Sequence, residues 1–439
     1  MKRFFNKNGL WVLVFSVVLF FFFFLLIHPK HWITTSNGEV KLFYVDNISD
    51  THKILIDKFN RENKGKIRVV PVNLPFNKFT TNERKEMLAR SLRSKSERID
   101  LFTVDIIWTP RFAKWGAVLD DYYSDSELRA FIPKSLQTCY YNGKLVAVPF
   151  YMDVGMLYYE KNILKTQPDY RKLETQIKNG LTWPQFIAIG KRFDENKRPI
   201  FLFPADNFEG LMCVFYETLS QKTIRRMFGQ DSVHLDVPQA RRGLQLLYDF
   251  IHRYRFTPPQ VYDFDEINCY NLMLEKNGLF LRGWPGLWLR VNAYNAQHQE
   301  KRIVGIAPIP HFKGQQNTAI YGGWNFMIAN KSKHKAQAVR FIKFFQRFDN
   351  QRLLFTAGGY LPTLSRVYRD STLLRKHPEL SLLRKLLNHG QFRPMRPDYT
   401  RISDVMSFYF RKALKGELSV EQALRQAEEA INAQSINLK

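Results

Sequence analysis

The chain has 439 residues, 45% of them apolar and 15% aromatic, with a formal net charge of +26. That length exceeds one small core and makes two domains the prior, while the apolar share is enough for a large interior. The charge favours anionic membrane surfaces or anionic partners, but its Lys and Arg are spread over the whole chain. No zinc-ligand spacing, RNP-like strand or compact basic arm accompanies them, so no nucleic-acid partner is expected.

Lys2, Arg3 and Lys7 precede an apolar run, Leu10 to Ile27, broken only by Ser16. As a helix this run spans about 27 Å, close to the hydrocarbon thickness of a bilayer. A cleaved signal peptide needs a small-x-small site, and the chain continues Ile27, His28, Pro29, Lys30, His31, Trp32 instead. No cysteine near the end of the run supplies a lipobox thiol. The expectation is an uncleaved, single-pass transmembrane anchor with its amino end inside and the bulk of the chain extracytoplasmic. Residues His28 to Gly38 form a tether. Cys139, Cys213 and Cys269 are odd in number and lack metal-ligand spacing; buried free thiols are the default.

Beyond the tether, Val40 to Val45 reads as a strand and Thr51 to Asn63 as a helix with Ile54, Leu55, Ile56 and Phe59 apolar. Lys66 to Val72 is a strand. Thr81 is a candidate cap for a helix, Glu83 to Ser94, with Met87, Leu88 and Leu92 inward. Ile99 to Val104 is a buried strand ending at Asp105, followed by Trp108 and a helix from Thr109. This alternation predicts a mostly parallel, doubly wound sheet, whose ligands sit beyond the carboxyl ends of strands, where Asp105 lies.

Two short strands, Leu145 to Val148 and Val154 to Tyr159, flank Pro149 and an exposed-looking trio, Tyr151, Met152 and Asp153. Pro149 removes a backbone donor. A chain crossing between lobes here, with an aromatic and a carboxylate at the crossing, and a central strand opening on a proline are both open readings. A second α/β unit follows. Its helices cover Thr182 to Phe193, Phe208 to Leu219, Pro238 to Tyr254 and Ile267 to Asn277. Its strands are Gly278 to Trp284 and Ile303 to Ile309. Tyr321 to Asn325 and Gly358 to Pro362 are candidate second and third crossings. A helix spans Lys333 to Phe348, and the last helix runs from Ser419 to Asn432.

Seven segments in this order resemble the extracellular solute-binding proteins of ATP-binding-cassette importers, within the sugar-binding family and its trehalose/maltose-binding branch. They are DLFTVDIIWTPRFAKWGAVLDDY from Asp100, VPFYMDVGMLYYEKNIL from Val148, FEGLMCVF from Phe208 and FLRGWPGLW from Phe280. IYGGWNFMIANKSKHKAQAVRFIKFF from Ile320, GYLPT from Gly359 and RPMRPDY from Arg393 complete the set. The resemblance implies an α/β, two-lobe periplasmic-binding-protein-like fold of type II with a three-segment hinge, preceded here by the N-terminal transmembrane helix. The expected division is 1–38 for the anchor and tether. Residues 39–149 plus 321–360 form lobe 1, and 150–320 plus 361–439 form lobe 2.

Carried over by the resemblance, the ligand contacts are Arg84, Asp105, Tyr151, Asp153, Trp284, Gly323, Trp324 and Arg393, with Glu209 a further candidate. The family's acidic residue before the first helix has no clean match among Asp46, Asn47, Ile48, Ser49 and Asp50. The residue types suit a sugar: carboxylates accept from paired hydroxyls, guanidinium forks donate, and indole plates cover C–H faces. Taken singly, a Trp belongs to the core and an Asp to an ion pair; the ordered set gives them a common purpose. The implied partners are a di- or oligosaccharide such as trehalose or maltose, ABC permease subunits with ATPase subunits, and the membrane through the N-terminal helix. The protein is expected to act as a monomer with no cofactor and no metal.

Two alternatives stand beside this: a receptor of the same fold presenting ligand to a membrane sensor, and an importer receptor for a phosphorylated or acidic solute such as a glycerol phosphate. An enzyme using Asp105 and Asp153 as an acid/base pair would need a catalytic motif. The sequence has no G-x-S-x-G, H-E-x-x-H or P-loop.

Overall fold

A computed structural model describes residues 38–439, apart from 76–77, 80, 95–97, 194–197, 230–231, 316–318 and 437–439. The apolar run Leu10–Ile27 lies outside the described residues; among these, no helix is long and apolar enough to cross a membrane. Eleven strands are described: β1 (Val40–Asp46), β2 (Ile67–Asn73), β3 (Leu101–Asp105), β4 (Tyr140–Tyr141), β5 (Lys144–Leu145), β6 (Val148–Val154), β7 (Met156–Glu160), β8 (Phe201–Leu202), β9 (Phe280–Gly283), β10 (Val304–Ala307) and β11 (Tyr321–Ile328).

Two sheets organise the fold, ordered β2-β1-β3-β11-β6 and β10-β7-β9-β8. In the first sheet β1 pairs in parallel with β2 and β3. The alternation of strand and helix up to Asp105 accounts for this, since each helix carries the chain back over the sheet. β11 then inserts antiparallel between β3 and β6. In the second sheet β7 runs antiparallel to both β10 and β9. The expectation of a mostly parallel sheet therefore holds for β1 to β3, and the second sheet has one short parallel pair, β8 with β9.

The covering helices follow local signals. Helix Asp50–Glu62 starts behind Ser49, whose Oγ accepts the His52 N–H at 3.3 Å, and buries Leu55, Ile56 and Phe59. Ile54, read as part of that apolar face, is 50% exposed. Helix Thr81–Arg93 buries Leu88 and Leu92. Met87, expected inward, is exposed because the buried stripe runs through residues 85, 88, 89 and 92. The last helix, Val420–Ile436, packs on helix Tyr399–Leu414, which in turn covers helix Glu209–Tyr216. All three cysteines are free and buried.

Pro149 does not end a strand. β6 runs unbroken to Val154, and its register with β11 slips once: Trp324 faces Tyr151 while Asn325 faces Pro149. Phe150 is the extra residue of this bulge, so the ladder absorbs a proline that cannot donate. Tyr151 and Met152 are buried, contrary to the expected exposure, and Asp153 is half-buried.

The chain passes from the first sheet to the second at Gly155, between β6 and β7. Its N–H donates to the Ile320 carbonyl at 2.9 Å. A Cβ at Gly155 would stand 1.8 Å from Glu217 Oε1, so only glycine admits the buried Glu217–Arg282 pair beside it, joined by two bonds of 2.8 Å. Two other passages lie beside it: β11 returns to the first sheet after β10, and Leu361 accepts the Met152 N–H at 3.3 Å.

Candidate functional site

Three adjacent strands place three side chains in a row at the carboxyl end of the first sheet. Trp324 pairs in register with Asp105 on one side and Tyr151 on the other. Asp105 also accepts the Ile107 N–H at 3.1 Å, which fixes the turn that ends β3. Gly323 sits among them with φ +119; a Cβ there would lie 2.5 Å from the Tyr151 carbonyl oxygen. The left-handed backbone and the tight approach to β6 both require glycine.

The second lobe faces this row. Trp284 follows β9, its N–H donating to the Tyr270 hydroxyl at 2.9 Å and its indole N–H to Glu266 Oε1 at 3.2 Å. Glu209 opens helix Glu209–Tyr216. Between the two walls lies a cavity of about 350 Å³ lined by Asp105, Tyr151, Asp153, Glu209, Trp284, Gly323, Trp324 and Arg393, among others. That volume is within the range of small-molecule sites, roughly 300–1,000 Å³.

Arg393 ties the two walls together. Its guanidinium donates to Asp105 at 2.9 Å, to Glu209 at 2.9 Å and to the Tyr321 carbonyl at 3.3 Å. Glu209 also accepts from Tyr399 at 2.9 Å and from Ser403. Burial pushes the Glu209 carboxyl up against the pull of Arg393. Asp153 is pushed up to about 8 by burial and, secondarily, by the Asp105 charge. A carboxyl so placed is poised to donate as well as accept.

Arg84 is not on the cavity wall. Its guanidinium stacks at 4.5 Å behind the Trp324 ring and meets Asp46 at 3.4 Å. The second lobe repeats the arrangement, with Arg282 4.0 Å behind the Trp284 ring and paired with Glu217. Each indole therefore shows one face to the cleft and has a buried cation against the other. Arg84, expected as a ligand contact, is thus placed behind Trp324 and is not among the cavity-lining residues, and Arg282 has the matching place behind Trp284.

The wall also holds residues that the sequence reading did not select: Asn47, Phe79, Glu266, Tyr270, Arg290 and Tyr360. Asn47 stands where the unmatched acidic position was sought, and Asp46 is buried instead beneath Arg84 and Thr103. Tyr360 lay within the quoted GYLPT segment. Phe79 and Arg290 carry no local signal. Among the described residues no cluster of His, Cys, Asp and Glu is placed to hold a metal ion.

Comparison with known proteins agrees with this architecture. Residues 46–352 match the family model of bacterial extracellular solute-binding proteins. A probable ABC transporter-binding protein of Deinococcus radiodurans is 25% identical over 362 residues, covering 79% of this chain and 83% of that protein. A maltotriose-binding protein of Pyrococcus abyssi is 22% identical over 308 residues, 68% of this chain and 62% of that one. A maltose-bound T. maritima MalE3 structure superimposes with a TM-score of 0.77 at 24% identity, covering 90% of this chain and all of that one. These relatives are binding proteins, not enzymes, and Asp105 is held by Arg393 and not set opposite Asp153 as a free acid. The chain is a member of the bacterial extracellular solute-binding protein family.

Proposed function

We propose that the protein is the extracytoplasmic receptor of an ABC importer and binds a di- or oligosaccharide of the maltose type between its lobes. The observation that carries this is the pair of indole plates, Trp284 and Trp324, on opposite walls of one cavity that also holds Asp153 and Asp105. Flat apolar faces beside acceptors on both sides suit a ring with C–H faces and an equatorial belt of hydroxyls. The maltotriose-binding and maltose-bound relatives add support for this ligand class.

The cavity wall carries Asp105, Asp153, Asp206, Glu209, Asp265 and Glu266 against Arg290 and Arg393, and Arg393 already serves two carboxylates. This charge balance disfavours a phosphorylated or acidic solute. In the proposed mechanism the lobes turn about three passages: Gly155, the return into β11, and Gly359 to Leu361. On that basis lobe 1 extends to Val154 and not to Pro149. Only the closed form puts both walls on the sugar, so binding selects it, and the closed form docks on the permease pair. The chain works as a single copy, held to the membrane by Leu10 to Ile27, whose flanking Lys2, Arg3 and Lys7 favour that topology.

A thermal-shift screen against neutral, phosphorylated and acidic sugars tests the assignment. Maltose-type saccharides should raise the melting temperature in a concentration-dependent way. A panel in which only sugar phosphates do so would refute the neutral-sugar reading.

A further inference from the structure

The end of the first lobe opposite the cleft is formed by the amino ends of β1, β2 and β3 and the carboxyl end of β11, where Ile328 pairs with Leu101. Exposed cations gather there: Lys41, Lys66, Arg98, Lys114, Lys331 and Lys333. Hydrogen bonds tie together the segments that carry them. The Val40 N–H donates to the Lys66 carbonyl at 2.9 Å, Arg98 to the Lys41 carbonyl at 3.0 Å, and Asn330 to the Lys114 carbonyl at 3.2 Å.

Among the described residues, the carboxylates of this end have partners. Asp100, 1% exposed, accepts the Phe43 N–H at 3.1 Å and the Ser332 hydroxyl and pairs with Arg98 at 3.4 Å, so Arg98 shares its charge with a buried carboxylate and the five lysines carry the net positive charge of the patch. Glu39 accepts the Gly65 N–H at 3.1 Å, and Glu62 pairs with another cation, Arg347, at 2.9 Å. Two apolar groups stand among the lysines. Val118 is 52% exposed, and half-buried Trp115 has the Lys114 ammonium 4.4 Å from its ring. Cations around an exposed aliphatic tip and a tryptophan match the chemistry of a bilayer's headgroup layer.

The chain enters the fold at this same end, at Val40. Residues 28–39 separate it from the apolar run and reach at most about 40 Å when extended.

We propose that this basic end of the first lobe rests on anionic lipid headgroups. The proposal shares with the functional reading its placement beside an uncleaved anchor. The contact is electrostatic, so it is reversible and weakens with salt. It leaves the cleft, at the opposite end of the strands, facing outward to collect solute, and release of the contact frees the lobes to turn toward a permease.

Lysine acetylation footprinting of the full chain on vesicles tests this. On vesicles containing phosphatidylglycerol, Lys41, Lys66, Lys331 and Lys333 should react severalfold more slowly than on pure phosphatidylcholine, with Lys178 and Lys385 of the second lobe as internal references. Raising the ionic strength should remove the protection. The double variant Lys331→Glu, Lys333→Glu should lose it at the remaining lysines while keeping its sugar-induced thermal shift. Equal reaction on both vesicles, or protection that survives high salt, would overturn the proposal. Failure of the chain to co-float with neutral vesicles would defeat the anchor alone, because the anionic arm still reads the surface.

Discussion

Trp324 and Trp284 each stand between the interlobe cavity and a guanidinium. Trp324→Ala removes a stacking plate and should cost about 1–3 kcal/mol of binding free energy by calorimetry. Arg84→Met should cost less, because only the support of the ring is lost; a loss equal to that of Trp324→Ala would return Arg84 to the ligand. Asp153 gives a pH signature. Its carboxyl is pushed up to about 8 in the fold and titrates near 3.9 when unfolded. Between those values the folded state binds more protons, so this group's contribution to stability declines as pH rises through the window. Asp153→Asn should flatten that part of a melting-temperature profile between roughly pH 4 and 8; an unaltered slope would mean that the carboxyl is solvated.

At the scale of elements, Gly323 shows how tightly β11 and β6 are matched. Gly323→Ala combines a φ of +119 with contact at 2.5 Å, and should lower the unfolding free energy by about 1–3 kcal/mol in urea titration. The helices with clear caps and stripes were legible, as Ser49 and the Leu55, Ile56, Phe59 face show. So were the parallel strands up to Asp105. β6 was half legible: with Pro149 near its start, a lobe crossing and a central strand opening on a proline were both open, and the bulge that absorbs the proline shows only in the register. The antiparallel insertion of β11 was not legible, since it depends on a chain returning from the other lobe. At the site, Asp105, Tyr151 and Trp324 were readable as members of ordered motifs, whereas their alignment across three strands is set by register. The place of Arg84 behind Trp324 was not readable, because a buried cation behind a ring and one on a ligand look alike in sequence. Arg282 was missed for the same reason.

Across the whole molecule, the two walls meet through polar groups beside the cleft. Asp404 on helix Tyr399–Leu414 accepts from Asn82 at 2.9 Å and from Lys85 at 3.1 Å, both on helix Thr81–Arg93. Lys85 is almost fully buried, while the Asp404 side chain is 45% exposed, so the pair is only partly shielded from solvent. Asp404 is not on the cavity wall, so Asp404→Ala should weaken sugar binding a few-fold through a less stable closed form; unchanged affinity would show that this contact does not bias closure. If a saccharide draws the two half-sites together, the chain compacts on binding. Small-angle X-ray scattering, with and without the saccharide giving the largest thermal shift, reads this out. A smaller radius of gyration is expected with the sugar, and no such change in Trp284→Ala, Trp324→Ala; a sugar that binds to the unaltered chain without compacting it would overturn closure as the mechanism.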